Sequence, residues 1–520
     1  MKKCPYRKLG PFTPMRLFIL VVVVVAIVIA GVYAWRALRP SDGAVPEPAY
    51  WPTVGWQNST PEVQGFDSTK LAEGLQTIKG NNTSVHSILI VRGGLVFLDT
   101  YFYPYDGSYY HDLASVTKSV MTTLIGIAAD QGELDLDQPM LSFFADRTIA
   151  NRDARKESIT VQHLTAMTSG FEVDLMDDEN TLAEMRANND WVQFSLDRAV
   201  VAEPGSRFAY DGASIHLLSA ILQQATGMTA AEYAQANLFE PLGITDFYWP
   251  TDTTGYTRGW GDLSLHPHDA AKIGFLFLHQ GQWEGPQVVS QEWVKTATDA
   301  HISTGRDEDE YYGYGWWVER PDNGLNVFRA DGRNGQRIYV IPSMNMVIVT
   351  TGGGFELDDV IPYIEEAIVD LENPLPSNDT GVTQLEAVIA ELRQSPAAQP
   401  VPPLPDAAIA VSGKTFVFEP NPAQIQSIRI DFDHPTEATY YIQAEKEEVM
   451  RIGAAGLDGL YRTSSSGWPA IAKAAWANNQ TLLFDYSRGP GLENVTWQIQ
   501  FDGDRMLLET SGITIEGELE

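Results

Sequence analysis

Between Arg16 and Arg36 the chain runs for nineteen residues without a charge, Leu17 to Trp35, LFILVVVVVAIVIAGVYAW. As a helix rising 1.5 Å per residue the run reaches about 28 Å, enough to cross a bilayer's hydrocarbon core. A buried helix of a soluble domain is a poor alternative, because β-branched residues dominate and no polar face interrupts them. Lys2, Lys3, Arg7, Lys8 and Arg16 precede the run with no acidic residue among them, and all 68 acidic residues follow it. The positive-inside rule therefore puts the first residues in the cytoplasm and the rest outside, on a single-pass anchor. A cleaved signal peptide is the alternative; the run is longer than an ordinary signal core, and Trp35-Arg36 is not a small-residue cleavage site.

With 520 residues the chain has room for several domains, and a net charge of −33 argues against nucleic acid as a partner. A single cysteine, Cys4, rules out an internal disulfide and a cysteine-rich metal site. Composition shifts suggest five segments: 1–37, a basic tip and anchor; 38–62, a Pro- and Gly-rich linker; 63–371, mixed strands and helices; 372–405, a linker with a short helix over Val382–Arg393; and 406–520, an all-β barrel or sandwich. Within the mixed region, Ser87–Asp99 reads as a hairpin around Gly93-Gly94, and Ser115–Asp130 as an apolar helix ended by Gln131-Gly132. Ile215–Ala225 and Asp269–Leu278 are helical in pattern, and Arg337–Thr351 reads as two strands about Pro342-Ser343. In the β region, Val495, Trp497, Ile499 and Phe501 alternate with polar residues.

Three segments carry candidate chemistry. In Ser115-Val116-Thr117-Lys118 the hydroxyl and the amine lie one helical turn apart, so a desolvated lysine can take the proton of a serine nucleophile. The plain reading of the same spacing is a helix start with the serine as cap and the lysine in solvent. Tyr210, in Arg207-Phe208-Ala209-Tyr210-Asp211-Gly212, can relay protons if it meets that lysine, or be an ordinary core tyrosine. Ala330-Asp331-Gly332-Arg333 precedes a strand, where backbone N–H groups can hold an oxyanion or simply form a turn. His266-Pro267-His268-Asp269 reads as a loop with Asp269 at a helix start rather than as a metal site, and Trp316-Trp317 as core. Asp307–Glu310 reads as solvated surface.

In this order the segments resemble the serine β-lactamase-like hydrolases, a family that includes class C β-lactamases, penicillin-binding carboxypeptidases, esterases and 6-aminohexanoate-dimer hydrolase. Leu164–Phe171, Glu203–Tyr210, Tyr312–Trp317 and Gln336–Val340 also resemble framework segments of that family. The resemblance spans residues 63–371. It implies an α/β (α+β) sandwich, an antiparallel sheet flanked by helices, and no cofactor or metal. It further implies a serine hydrolase acting on a small-molecule or peptide ester or amide. Ser115 would be the nucleophile and Lys118 with Tyr210 the proton-transfer pair; the N–H groups of Ser115 and Arg333 would hold the oxyanion, beside Gly332, Asp331 and Asp211. Gly212 stands where the family has an asparagine, and Ala330 where it has lysine or histidine. Asp331 adds a negative charge there, which points to neutral or cationic substrates. A cell-wall D-Ala peptidase and a non-catalytic binding protein on the same fold are the alternatives.

Overall fold

The strands Val85–Arg92 and Leu95–Tyr101 reverse direction at Gly93 and Gly94, whose φ angles of 58° and 82° suit residues without a side chain. A computed structural model describes residues 45–108, 110–173, 178–320, 326–444, 450–464, 470–488, 494–510 and 512–520. The hairpin belongs to a nine-stranded sheet. Its order is Gln57–Asn58, Leu95–Tyr101, Val85–Arg92, Met346–Gly352, Gln336–Ile341, Val327–Gly332, Trp317–Glu319, Glu310–Tyr312, Ile302–Ser303. Every neighbouring pair is antiparallel except the first, where Gln57 and Asn58 run parallel to Leu95 and Val96.

Alternation along these strands loads both faces of the sheet. Leu89, Val91, Val347 and Val349 pack into a core with the helices Val116–Asp130, Gly212–Thr226 and Pro267–Leu278. Ile88, Ile90, Met346 and Ile348 face the other way, onto the helices Ser68–Gly80, Ile361–Glu365 and Asp379–Arg393. The result is the sandwich that the family resemblance implies. The helix Val116–Asp130 is enclosed within it, buried at every residue from Val116 to Ala128.

Two segments read as linkers are integral to this unit. Trp51 and Trp56 meet Phe275 edge to face at 5.8 and 5.4 Å, and Gln57–Asn58 adds the edge strand. The helix Asp379–Arg393 buries Leu385, Val388 and Leu392 against the sheet. Proline and glycine in the flanking sequence mask these apolar anchors. The expected span Leu17–Trp35 lies outside the described residues; among the described residues no helix is long and apolar enough to cross a membrane.

Among the described residues from Thr415 to Leu519, ten strands form a barrel rather than a sandwich. Consecutive strands pair antiparallel except Arg451–Gly456 and Arg462–Ser464, and the last strand, Ile513–Leu519, pairs antiparallel with the first, Thr415–Phe418. The ring closes where Gly456 meets Lys473 in the strand Ala470–Trp476. Ala438, Tyr440, Ile442 and Ala444 point inward along one strand, and Trp497, Ile499 and Phe501 along another. The barrel touches the sandwich at Tyr103–Tyr105: the Tyr461 N–H donates to the Tyr103 hydroxyl at 3.0 Å, and Ser487 lies against the Tyr105 phenol.

The enclosed helix owes its fit to Gly126, where an added Cβ would lie 2.2 Å from the ring of Trp293. Gly126→Ala should therefore destabilise the protein by about 1–3 kcal/mol in urea unfolding, as overpacking does. Gly80→Ala, with no heavy atom within 4 Å of its new Cβ, should change stability by no more than about 1 kcal/mol.

Candidate active site

Ser115 precedes the enclosed helix as its N-cap, yet its side chain makes no capping bond. The hydroxyl turns to Lys118 instead, whose Nζ lies 2.6 Å from Ser115 Oγ. The amine also donates to the Trp260 carbonyl at 2.9 Å. Lys118 is 1% exposed, so the plain reading of this spacing, a capping serine with a solvated lysine, does not describe the fold.

The loop before Ser115 is held in a conformation that side chains rarely adopt. Ala114 has φ of 48°. Its N–H donates to Asp112 Oδ1 at 2.7 Å, and its carbonyl accepts from the Thr117 hydroxyl at 2.6 Å. Leu113 N–H donates to the Leu263 carbonyl at 2.9 Å. Behind the loop, His111 Nδ1–H donates to the Asp112 carbonyl at 2.8 Å, leaving Nε2 to accept from His86 Nδ1–H at 3.0 Å. The Tyr105 ring stacks on His86 at 3.8 Å. Burial pushes the His111 imidazole down to about 4, against the pull of its bond to the Asp112 carbonyl. His86 is lowered by the same burial and by its histidine neighbour.

Tyr210 closes the site from the other side. Lys118 Nζ lies 4.9 Å from the centre of its half-buried ring, and the ring leans on Trp317 at 5.5 Å and Tyr312 at 6.3 Å. The hydroxyl, the amine and the phenol ring thus gather from two helix starts almost a hundred residues apart. Of the tryptophan pair, Trp316 is core, packed on Phe277, whereas Trp317 backs Tyr210.

The strand Val327–Gly332 brings the third segment alongside. An added Cβ on Gly332 would lie 2.6 Å from the Leu113 carbonyl and 3.1 Å from Ala114 Cβ, so only glycine lets strand and loop approach this closely. Arg333 follows directly, with its guanidinium 2.9 Å from Glu179. Ala330 is fully buried.

Two expectations need correction. Asp211 is engaged within the protein: it is 1% exposed, forms a two-pronged pair with Arg198 at 2.9 Å on each oxygen, and caps the helix Gly212–Thr226. Asp331 does not bring uncompensated negative charge, because Arg329 and Arg337 hold it at 3.3 and 3.1 Å. Arg329 also binds Glu310 at 2.7 Å, which removes that residue from the solvated acidic run. Elsewhere, His266, His268 and Asp269 pair separately, with Asp246, Asp99 and Lys272.

Sequence reasoning missed three parts of the site. The Trp260 carbonyl is a backbone group with no side-chain signature. The His86–His111–Asp112 chain is assembled across two strands. Asp178 sits in an acidic run that reads as surface, yet both its oxygens lie within reach of the Gly212 N–H, at 3.2 and 3.0 Å.

A family model described as Beta-lactamase matches residues 79–360, more than half of the chain and every residue of this site. The chain belongs to the beta-lactamase family. Among its relatives, 6-aminohexanoate-dimer hydrolase of Paenarthrobacter ureafaciens is 25% identical over 288 residues, covering 51% of this chain and 72% of its own. Monacolin J acid methylbutanoyltransferase of Aspergillus terreus is 30% identical over 151 residues, 26% of this chain and 36% of its own. Among solved structures, the octameric penicillin-binding protein homologue from Pyrococcus abyssi aligns over 86% of this chain and 99% of its own. It has a TM-score of 0.48 and 17% identity.

The depressed histidine behind the loop that precedes Ser115 gives this beta-lactamase family member a pH signature. Below pH 6.5 an unfolded His111 binds a proton that the folded one refuses until about pH 4, so stability falls as pH drops through that window. Wild type should lose about 2–3 kcal/mol more than His111→Gln between pH 7.5 and 4, measured by urea unfolding.

Proposed function

We propose that this chain is a serine hydrolase that cleaves an ester or amide through an acyl-enzyme on Ser115. The observation that carries the reading is the 2.6 Å contact between a nearly solvent-free amine and a serine hydroxyl left uncommitted by its helix. A serine hydroxyl attacks a carbonyl only if a base removes its proton as the bond forms. In this reading Lys118 takes it and Tyr210 passes it to the leaving group. Negative charge develops on the carbonyl oxygen at the start of a fifteen-residue helix, where the helix dipole favours it, and in this reading the N–H groups of Ser115 and Arg333 hold it. Water then releases the acyl group, activated by the same pair. The relatives named for hydrolase and methylbutanoyl-transfer activities support acyl chemistry as the common theme.

The substrate is a small-molecule or peptide ester or amide. In place of the family's cationic side chain the chain has the buried Ala330, and Arg333 is engaged by Glu179, so neither offers a free cation to a substrate carboxylate. This favours neutral or cationic substrates over anionic lactams. The apolar run Leu17–Trp35 supports a single-pass anchor in the cytoplasmic membrane, with the active site outside it.

Purified residues 38–520 should hydrolyse a panel of short-chain p-nitrophenyl esters and D-amino-acid anilides, and should take up a fluorophosphonate on Ser115. Ser115→Ala should lose both; turnover retained by that variant would overturn the reading. Lys118→Ala and Tyr210→Phe should each cost about 10²–10⁴ in kcat with the fold intact by circular dichroism.

A further inference from the structure

Ala114 holds a φ of 48° one residue before Ser115, a conformation that persists in a residue with a side chain only where the surroundings impose it. The Asp112 carboxylate helps to impose it by accepting the Ala114 N–H at 2.7 Å. What fixes Asp112 lies away from the site. His111 Nδ1–H donates to the Asp112 carbonyl at 2.8 Å, and the other ring nitrogen, Nε2, accepts the His86 Nδ1–H at 3.0 Å. His86 has no room to retreat from this contact. Tyr105 stacks on its face at 3.8 Å with the rings 23° apart, and an added Cβ on Gly353 would lie 2.9 Å from its Nε2, so backbone closes the far edge. Tyr105, His86, His111 and Asp112 are all buried.

Tyr105 ends a turn that is gripped from three directions. Phe102 N–H donates to the His86 carbonyl and Tyr105 N–H to the Phe102 carbonyl, both at 2.9 Å, which ties the turn to the strand Val85–Arg92. Tyr103 N–H donates to the Leu392 carbonyl at 2.9 Å, at the end of the helix Asp379–Arg393. The barrel supplies the third hold: the Tyr461 N–H donates to the Tyr103 hydroxyl at 3.0 Å, with the two rings 6.4 Å apart.

We propose that Tyr105 and His86 are positioning residues through which the barrel holds the loop that precedes Ser115, so that the barrel is part of the catalytic unit rather than an appended module. The proposal rests on the reading of Ser115 as nucleophile. None of these groups takes part in the proton transfers of that reading; they act through Asp112 and Ala114. Ser115 Oγ lies 2.6 Å from Lys118 Nζ, and a loop released from its positive φ turns the hydroxyl away from the amine. Misorientation of the attacking atom lowers kcat, whereas the surface that binds substrate is untouched and KM stays.

The test compares kcat and KM for p-nitrophenyl butyrate, and the rate of fluorophosphonate labelling of Ser115, in the full chain at a temperature below every melting transition. Tyr105→Leu and His86→Ala should each lower kcat and labelling by about 3–30-fold at unchanged KM. Tyr105→Phe, which keeps the stacked ring, should stay closer to wild type than to Tyr105→Leu. The double variant Tyr105→Leu/His86→Ala should lose no more than the larger single loss, as links of one chain do. Tyr103→Phe, which removes the acceptor of the barrel's N–H, should lower kcat by at least about twofold and carries the test alone should the larger substitutions not fold. Wild-type kcat in folded Tyr105→Leu or Tyr103→Phe, a loss seen in KM instead, or losses that multiply in the double variant overturn the proposal, while labelling of wild-type Ser115 keeps the hydrolase reading intact. Wild-type Ser115 that takes no label brings down both.

Discussion

A lysine amine at 1% exposure has left water, and a fold that buries it must return hydrogen-bond acceptors. Here two are supplied: the Ser115 hydroxyl and the Trp260 carbonyl, with the Tyr210 ring over the same nitrogen. Those partners come from a helix start, a loop 142 residues further on and a second helix start, so satisfying one amine ties together the three parts of the helical layer. The Ala114 backbone, held at positive φ by Asp112 and Thr117, belongs to the same constraint: it aims the serine at the amine rather than at its own helix.

Much of this was legible in the residues. The hairpin at Gly93-Gly94, the enclosed helix after Ser115 and the alternating strand Val495–Phe501 follow from local periodicity, which burial on one face or two imposes directly. The S-x-x-K spacing was enough to put Ser115 and Lys118 within one turn of each other. Illegible were the features made by distant chain segments. Asp331 looked like a lone charge until Arg329, on its own strand, and Arg337, opposite it on the adjacent strand, closed on it, and Asp211 looked like a binding group until Arg198 closed on it. Charge neutralisation is a property of neighbours, and neighbours of this kind are 13 residues apart in one case and on adjacent strands in the other.

The two departures from the family pattern also take on different meanings. Ala330 is a filled position in the core, with nothing polar lost there. Gly212 is an exchange: the side chain is given up and a carboxyl from another helix moves in. Position-by-position comparison counts both as erosion, although only geometry separates a missing group from a substituted one.

The sheet of the sandwich ends at both sides in two-residue strands, Gln57–Asn58 and Ile302–Ser303, and the other large sheet is closed on itself. A third chain laid along either margin would find at most a stub to pair with. A protein with this much β-structure is thus shielded from fibre-like growth by the shape of its borders.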